Sequence, residues 1–441
     1  MKLDSLLDRT IRCACGQDHH VPVKGIFFSE DALRELPDFL GTYVREPRAL
    51  LVSDIRTQEV AGRETEETLR NAEWSVEVIT LPDPEGGSPV CDDQTYHGVL
   101  EQISSPPGVF IAIGSGVIND LVKWVSFTVD RPYAVVATAA SMNGFTSANV
   151  APLIQGVKSL VRARAPIGVF AKPSVIAKAP YRLTAAGLGD ALAKSVSVVD
   201  WELNHVLLGE PFCSFCAGII DQSERTYLKH PESILARSPD GIQAIFDALN
   251  YSGLAMTMIG SSAPASGGEH LFSHTLDMMS LLDRVPHDLH GRQVGIGTLF
   301  ASALYDRLLK VDRPKFREMP NRIDHRFWGK LAEFVQAQHE TKLENIPRIR
   351  DRLSAGDTWD QIRRHVLVKA KPPTLIADCL HRAGAARFLK DIGCSRERAF
   401  QAVSHLHEIR SRFTVVDLAW MVGILPDAAQ EIIDEWLLGQ N

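Results

Sequence analysis

His270 and His274 stand four residues apart in Ser266-Gly267-Gly268-Glu269-His270-Leu271-Phe272-Ser273-His274, and His290-Gly291 follows closely. A spacing of four places both rings on one face of a helix. His290 heads what reads as the next helix. Far upstream, Gly187-Leu188-Gly189-Asp190-Ala191-Leu192 offers a carboxylate in a glycine-rich turn. Asp190 with two of the three histidines would make a three-ligand divalent-metal site with open positions. Such a mixed oxygen and nitrogen set suits zinc, but also Fe(II), Ni(II) or Mn(II). Spacing alone does not choose among the rings. His270, His274, His287 and His290 all fall within 21 residues, and a histidine is more often a satisfied structural residue than a ligand.

Three further segments carry polar groups where strands should end. Gly114-Ser115-Gly116-Val117-Ile118-Asn119-Asp120 follows a strand-like run and opens a helix. Its glycines would let backbone approach a phosphate, and the helix N-terminus supplies unpaired N–H groups. It is not the usual dinucleotide fingerprint, since it follows the third strand and lacks the third glycine. The plainer reading is a tight strand-to-helix turn. Asp54 ends the first strand run. An acid there commonly bonds an adenine-ribose hydroxyl and disfavours a 2′-phosphate; otherwise it is a helix cap near Thr57. Arg56 could soften that preference toward the phosphorylated cofactor. Thr138 to Ser147 follows another strand run, is dense in small hydroxyl residues, and could line the pyrophosphate and nicotinamide region.

The elements that must position these groups divide into two regions. Ala49–Asp54, Ser75–Leu81, Gly108–Gly114, Tyr133–Ala140 and Ile167–Ala171 are short apolar runs bounded by turn residues. Helical patterns lie between them, such as Val60–Ala72 and Ile118–Phe127. The alternation predicts a doubly wound, Rossmann-like parallel sheet over residues 1–178. Continuous apolar strands fit a sheet covered on both faces. From 179 to 441 helical patterns dominate, at Thr184–Leu208, Pro239–Met258, Glu269–Leu282, Gly291–Leu309, Phe327–Glu340, Asp357–Val368, Pro373–Ala383, Ser395–Leu406 and Ala428–Leu438. The fold class expected is therefore α/β, an N-terminal sheet domain followed by an all-helical domain, with the active site in the cleft. Pro82–Pro89 and Ser261–Gly268 read as loops, and Val311–Arg322 as a charged connection.

The chain has 441 residues, 45% hydrophobic and 23% charged, with a net charge of −7. That composition is ordinary for a globular protein of two domains. The negative balance argues against a nucleic-acid or anionic-membrane binder, though not against a local basic site for a phosphorylated small molecule. No apolar run approaches the roughly 18 residues needed to span a bilayer. The N-terminus has early acids and no apolar stretch of a signal peptide, so the cytoplasm is the expected location. Seven cysteines in such a length do not make a disulfide framework. Cys13-Ala14-Cys15-Gly16 with His19 and His20 nearby could bind zinc, although its cysteine spacing is shorter than in usual zinc knuckles. Cys213-Ser214-Phe215-Cys216 has redox spacing, but its helical, apolar context predicts two semi-buried thiols.

Together these segments resemble the sn-glycerol-1-phosphate dehydrogenases, part of the dehydroquinate synthase-like and iron-containing alcohol dehydrogenase superfamily. The resemblance rests on VSDIRTQEVAG, GSGVINDLVKWVSF, RPYAVVATAASMNGFTSANVAP, AGLGDALAKSVSVVDWELN, ASGGEHLFSHTLD, HGRQVGIGT and EIRSRFTVVDLAWMVGIL, in order from about residue 20 to 425. It implies Asp190, His270 and His290 as metal ligands, and His274 as the substrate-facing or proton-relay histidine. It implies Gly114, Ser115, Gly116, Asn119 and Asp120 as the dinucleotide loop, with Asp54, Thr138, Ser141 and Ser147 as further cofactor contacts. Two residues depart from the family pattern. The motif at 141–144 normally reads Ser-Met-Asp-Gly, its Asp contacting substrate, where this chain has Asn143. Asn keeps the size and can donate a hydrogen bond, but it cannot act as a base or carry charge. Lys172 stands where relatives often carry Asp. Both changes are expected to make the site more positive.

The implied reaction is reversible reduction of dihydroxyacetone phosphate to sn-glycerol 1-phosphate with NADH or NADPH. One divalent metal, zinc first with nickel or iron as alternatives, would act as a Lewis acid, and the nicotinamide would carry the hydride. Phosphate recognition needs basic groups, and Lys158, Arg162 and Lys194 are the candidates. The partner expected is a small phosphorylated polyol or ketone, with no nucleic acid and no membrane span. The C-terminal helices could pack on the core or on another subunit of a homo-oligomer. The alternatives are a dehydrogenase of another polyol or polyol phosphate, a dehydroquinate synthase-like lyase, and a cofactor-binding protein silenced by Asn143. Lyase relatives usually carry Glu as first metal ligand and Asn shortly before the first histidine, unlike Asp190 and Ser266-Gly267-Gly268-Glu269 here.

Overall fold

The computed structural model describes residues 3–84, 87–155 and 157–439, and for 157 and 158 the backbone alone. Part of the expected loop Pro82–Pro89, residues 85 and 86, therefore lies outside the described residues. The chain forms two compact units. One comprises 1–187 with 225–260, the other 188–224 with 261–441.

The first unit opens with a hairpin of β1 (Arg9–Arg12) and β2 (Asp18–Val21). Then come β3 (Gly25–Phe28), β4 (Arg48–Asp54), β5 (Ser75–Leu81), β6 (Val109–Gly114) and β7 (Tyr133–Ala137). Four two-residue strands follow, β8 (Asn149–Val150), β9 (Leu153–Ile154), β10 (Val157–Lys158) and β11 (Val161–Arg162), before β12 (Gly168–Ala171). The main sheet is parallel, ordered β3-β12-β7-β6-β4-β5. Leu51 of β4 lies between Val78 of β5 and Ile111 of β6 in register. All six residues of β6 are buried, as a strand covered on both faces should be. The chain runs outward from β4 to β5, then returns to β6 and continues the other way. The order therefore reverses between β4 and β6, and in open α/β sheets ligands sit beyond the strand ends at such a reversal.

The strand β3 was not expected from sequence. Its four residues, Gly-Ile-Phe-Phe, are placed by packing. Phe27 stacks on Phe170 of β12 at 4.6 Å, and both meet Phe39 edge-on at 5.3 Å.

The unit boundary also differs from the expected division at residue 178. The Pro239–Ile259 helix was expected in the helical domain, but its contacts lie with the sheet. Phe246 stacks on Phe28 at 4.6 Å. Thr146 Oγ1 donates to the Asn250 carbonyl, and Thr257 Oγ1 to the Thr146 carbonyl, both at 2.8 Å. A hydrophobic pattern tells which face of a helix is buried, not against which partner.

Among the described residues the second unit contains helices and no strand. Expected Thr184–Leu208 is two helices, Tyr181–Leu192 and Lys194–Leu208. Glu269–Leu282 and Gly291–Leu309 appear as Gly268–Asp283 and His290–Leu309. Ser214–Lys229, Ile346–Ser354 and Val415–Val422 are additional. The last, Val-Val-Asp-Leu-Ala-Trp-Met-Val, has strand-like composition, yet a capping box of Thr414 and Asp417 starts it as a helix. Its Asp417 also pairs with Lys342 at 2.7 Å, both side chains at most 1% exposed. No helix of the described residues is long and apolar enough to cross a membrane.

Candidate active site

Close helix approach builds the histidine cluster of the second unit. A Cβ added at Gly189 would lie 2.0 Å from the Gly291 carbonyl oxygen, and one at Gly297 would lie 2.2 Å from that of Glu269. Only glycine allows these contacts. The first brings Asp190 up to the start of the His290–Leu309 helix, and the second seats that helix against the one bearing His270 and His274. The rings then converge, with centroids 5.2 Å apart for His270 and His290, 5.8 Å for His270 and His274, and 5.7 Å for His274 and His290. His270 Nε2 is 3.7 Å from Asp190 Oδ1. Asp190 and His270 are buried, whereas His274 and His290 are half-buried. His287 is not part of the cluster; it is largely exposed and faces Asp277 at 3.1 Å.

The surroundings fit a cation. His270 Nδ1 donates to Glu269 Oε1 at 2.7 Å, which leaves the Nε2 lone pair toward Asp190. His290 Nδ1 lies 3.0 Å from Ser273 Oγ, which also accepts from Gln293 Nε2 at 3.1 Å. A histidine that ligates a metal usually gives its other ring N–H to such a partner. Burial, then His290, keeps His270 from protonating, well below the usual imidazole range. A neutral ring is what a metal ligand must be. The set of one carboxylate and two imidazoles matches a three-ligand site with an open position.

Buried carboxylates lie behind the cluster. Glu269 is pushed up to about 7, first by burial. Asp200 is also pushed up to about 7, by burial and then by Glu269. Asp200 accepts from Gly268 N at 2.6 Å, Val415 N at 2.7 Å and Tyr305 OH at 2.5 Å. These bonds lock the start of the histidine helix.

Two of the expected basic groups do not serve as expected. Lys194 is 4% exposed. Its ammonium donates to the Asp190 carbonyl at 2.7 Å, to Asp190 Oδ1 at 3.2 Å and to the Ala265 carbonyl at 3.0 Å. All three protons are used, so Lys194 orients Asp190 instead of receiving a phosphate. The i,i+4 spacing of Asp190 and Lys194 was the available signal. Lys172 binds both oxygens of Glu64 at 2.9 Å, so its charge is matched locally and does not make the site more positive. Arg162 is exposed, and the side chain of Lys158 lies outside the described residues.

The cations that sequence reasoning passed over are Arg410 and Arg412. Arg410 Nη1 bonds Ser266 Oγ at 3.0 Å and the Ser266 and Gly267 carbonyls at 3.3 Å. Arg412 Nη1 bonds the Ser266 carbonyl at 3.2 Å. Burial, then Arg412, lowers Arg410 to about 10. Its charge also reaches His270. The alternation Arg-Ser-Arg is the sequence trace of this pair.

In the first unit, the ends of the adjacent strands β4 and β6 place Asp54 and Gly114 at the reversal point. Ser115 stands at the N-cap position of the Gly116–Thr128 helix without a side-chain cap bond; its hydroxyl meets that of Ser141 and, at 3.3 Å, the Ala139 carbonyl. Asn119 Nδ2 donates to Asp120 Oδ1 at 3.0 Å and to the Gly144 carbonyl at 3.4 Å. Thr138 N bonds the Gly114 carbonyl at 3.1 Å. Ser147 is buried, its hydroxyl turned to the Gly144 and Asn149 carbonyls at 3.1 and 3.2 Å. Lys123, unnoticed in sequence, is fully buried and gathers this loop, donating to the Gly144 carbonyl at 2.6 Å, Ser147 Oγ at 3.1 Å and the Asn149 carbonyl at 3.1 Å. Asn143 Nδ2 lies 3.4 Å from Ser252 Oγ.

Asp54 acts as a helix cap. It accepts from Thr57 N at 2.8 Å, and Arg56 Nη2 reaches its other oxygen at 3.0 Å. Arg56 also holds Asp83 through two bonds of 2.8 Å. Cys213 and Cys216 are fully buried, more so than expected.

Residues 27–180 match the family model described as iron-containing alcohol dehydrogenase. A solved glycerol dehydrogenase from Schizosaccharomyces pombe shares the fold, with a TM-score of 0.60 at 14% identity, covering 95% of this chain and 94% of its own. Two relatives are named glycerol-1-phosphate dehydrogenase with NAD(P)+. That of Geobacillus thermodenitrificans is 32% identical over 345 residues, 78% of this chain and 85% of the relative. That of Halalkalibacterium halodurans is 34% identical over 409 residues, 92% of this chain and 94% of the relative. On this identity and coverage, the chain belongs to the glycerol-1-phosphate dehydrogenase family.

Proposed function

We propose that this protein catalyses reversible NAD(P)H-linked reduction of dihydroxyacetone phosphate to sn-glycerol 1-phosphate, using one divalent metal held by Asp190, His270 and His290. The observation that carries the reading is the convergence of these side chains, with Glu269 and Ser273 facing the outer nitrogens of the two rings. When bound, the ion supplies Lewis acidity to the substrate oxygen and the nicotinamide carries the hydride. Zinc fits the donor set first, with nickel or iron as alternatives. Asp190 is held for this role by Lys194, and His270 by Glu269. His274 shares the cluster one helical turn beyond His270, and it is assigned to face substrate and pass a proton outward. Arg410 and Arg412 are assigned to the substrate phosphate, because both guanidiniums converge on Ser266 at the head of the histidine helix.

The cofactor is assigned to the β4/β6 reversal. There Gly114, Ser115, Gly116, Asn119 and Asp120 line the turn, Thr138, Ser141 and Ser147 belong to the neighbouring loop, and Asp54, besides capping its helix, is assigned to the adenine ribose. The Asp83 and Asp54 bonds that engage Arg56 favour NAD over NADP. Asn143 is assigned a substrate contact as a neutral hydrogen-bond donor. A cytoplasmic setting is supported by seven cysteines with no disulfide among them.

The test is cofactor oxidation by purified, metal-loaded protein with dihydroxyacetone phosphate, dihydroxyacetone and other polyol phosphates. Net turnover with the phosphorylated triose is expected, which a lyase regenerating its cofactor would not give. No turnover with any phosphorylated triose would overturn the substrate assignment. His270→Ala should lose both turnover and one equivalent of metal; retention of both would overturn the ligand assignment.

A further inference from the structure

The hairpin of β1 and β2 presents a second group of metal-ligating side chains, independent of the histidine cluster. Its loop, Cys13-Ala14-Cys15-Gly16-Gln17, is closed by Cys13 N to the Gln17 carbonyl at 3.2 Å and Gly16 N to the Cys13 carbonyl at 3.0 Å. Gly16 has φ +84°, the left-handed region open to glycine. The turn brings together Cys13 Sγ, Cys15 Sγ and a ring nitrogen of His19, all within 4.8 Å of one another. Donors around a tetrahedral zinc stand roughly 3.3–3.8 Å apart, as bonds of about 2.0–2.3 Å require, so small side-chain adjustments close the set.

The histidine is prepared for this role. His19 is 2% exposed, and its Nδ1 lies 3.0 Å from the Met258 carbonyl of the Pro239–Ile259 helix. A carbonyl only accepts, so Nδ1 carries the proton and Nε2 keeps its lone pair. Nε2 points to Cys15 Sγ at 3.3 Å. A ring N–H on a backbone carbonyl is the usual outer support of a metal-bound histidine. Strand alternation excludes His20, which is exposed and faces Thr10 Oγ1 at 3.3 Å.

We propose that Cys13, Cys15 and His19 bind a structural zinc ion that staples this hairpin. Two thiolates and a neutral imidazole cancel the dication's charge, so a half-buried site needs no further counter-ion. Each thiol releases its proton on binding. Zinc takes four ligands in structural sites, the fourth here being a further donor of the chain. An isolated two-stranded hairpin is marginal in water, which gives the ion a structural purpose.

The full-length protein, Cys13→Ser/Cys15→Ser and His270→Ala are each loaded with zinc or cobalt, and bound metal is counted. Wild type should hold about two equivalents and each variant about one. Cobalt-loaded wild type and His270→Ala should show sulfur-to-metal charge-transfer absorption, absent from the cysteine variant. No such absorption in wild type, or unchanged metal content in the cysteine variant, would overturn the proposal. Should that variant not fold, thiol labelling of wild type decides. Protection of Cys13 and Cys15 that a chelator removes supports the site, whereas equal labelling with and without chelator, or a Cys13–Cys15 disulfide, refutes it.

Discussion

Glu269→Gln isolates the residue behind the proposed metal ligand while keeping its shape. Glu269 is fully buried, with Oε1 2.7 Å from His270 Nδ1 and 2.8 Å from Gly267 N. The amide can still accept both hydrogen bonds, but without charge. A hydrogen bond to a charged group contributes about 1.5–3 kcal/mol, against about 0.5–1.5 kcal/mol for a neutral one. The substitution also leaves an amide NH2 where Oε2 is buried with no hydrogen-bond partner. The variant should therefore hold metal about 1–2 kcal/mol less tightly, roughly five- to thirty-fold, near the lower part of the general range for outer-shell partners. Stripped protein is titrated with zinc against a chromophoric chelator at pH 8, with circular dichroism to verify the fold. A dissociation constant within about twofold of wild type would refute the reasoning, because His270 would then not depend on Glu269 for its tautomer and basicity.

Arg412→Ala should raise KM for dihydroxyacetone phosphate at least about tenfold, as a lost charge-assisted bond implies, while leaving KM for dihydroxyacetone nearly unchanged; equal effects on both would refute the phosphate assignment. Asp83→Asn should release Arg56 and shift the NADPH to NADH ratio of kcat/KM upward by up to about fivefold, the scale of an exposed ion pair. An unchanged ratio would count against Arg56 as the discriminating residue. Asp200 and Glu269 have raised folded-state pKa values, so their contribution to stability is full below about pH 4 and is lost as pH rises through about 7. In metal-free protein, urea unfolding of Asp200→Asn should gain on wild type between pH 5 and 7, by at most about 1.4 kcal/mol per pH unit for each proton. A difference that does not change with pH would show that Asp200 is already ionised.

Much of the fold was legible because burial on both faces leaves continuous apolar strands. β4, β6, β7 and β12 follow such runs, whereas β5, at the sheet edge, alternates buried and exposed residues. β3 did not show itself, and its place is set by the packing of Phe27 on Phe39 and Phe170. The Pro239–Ile259 helix was legible as a helix but not as a partner of the sheet. Its contacts, from Thr146 to Asn250 and from His19 to Met258, join residues more than a hundred positions apart.

Sequence by itself determined the chemistry on offer: paired histidines one helical turn apart, a carboxylate among glycines, a phosphate-suited turn and two cysteines with histidines nearby. Those are properties of residue type and local spacing, which a linear chain carries directly. Tertiary structure alone decided which groups have charge to spare. Lys194 is consumed by Asp190, Lys172 by Glu64 and Arg56 by Asp83 and Asp54, whereas Arg410 and Arg412 are brought to the head of the histidine helix. The physical reason is that a cation's availability depends on every acceptor within about 4 Å, and those acceptors arrive from distant parts of the chain only when it folds.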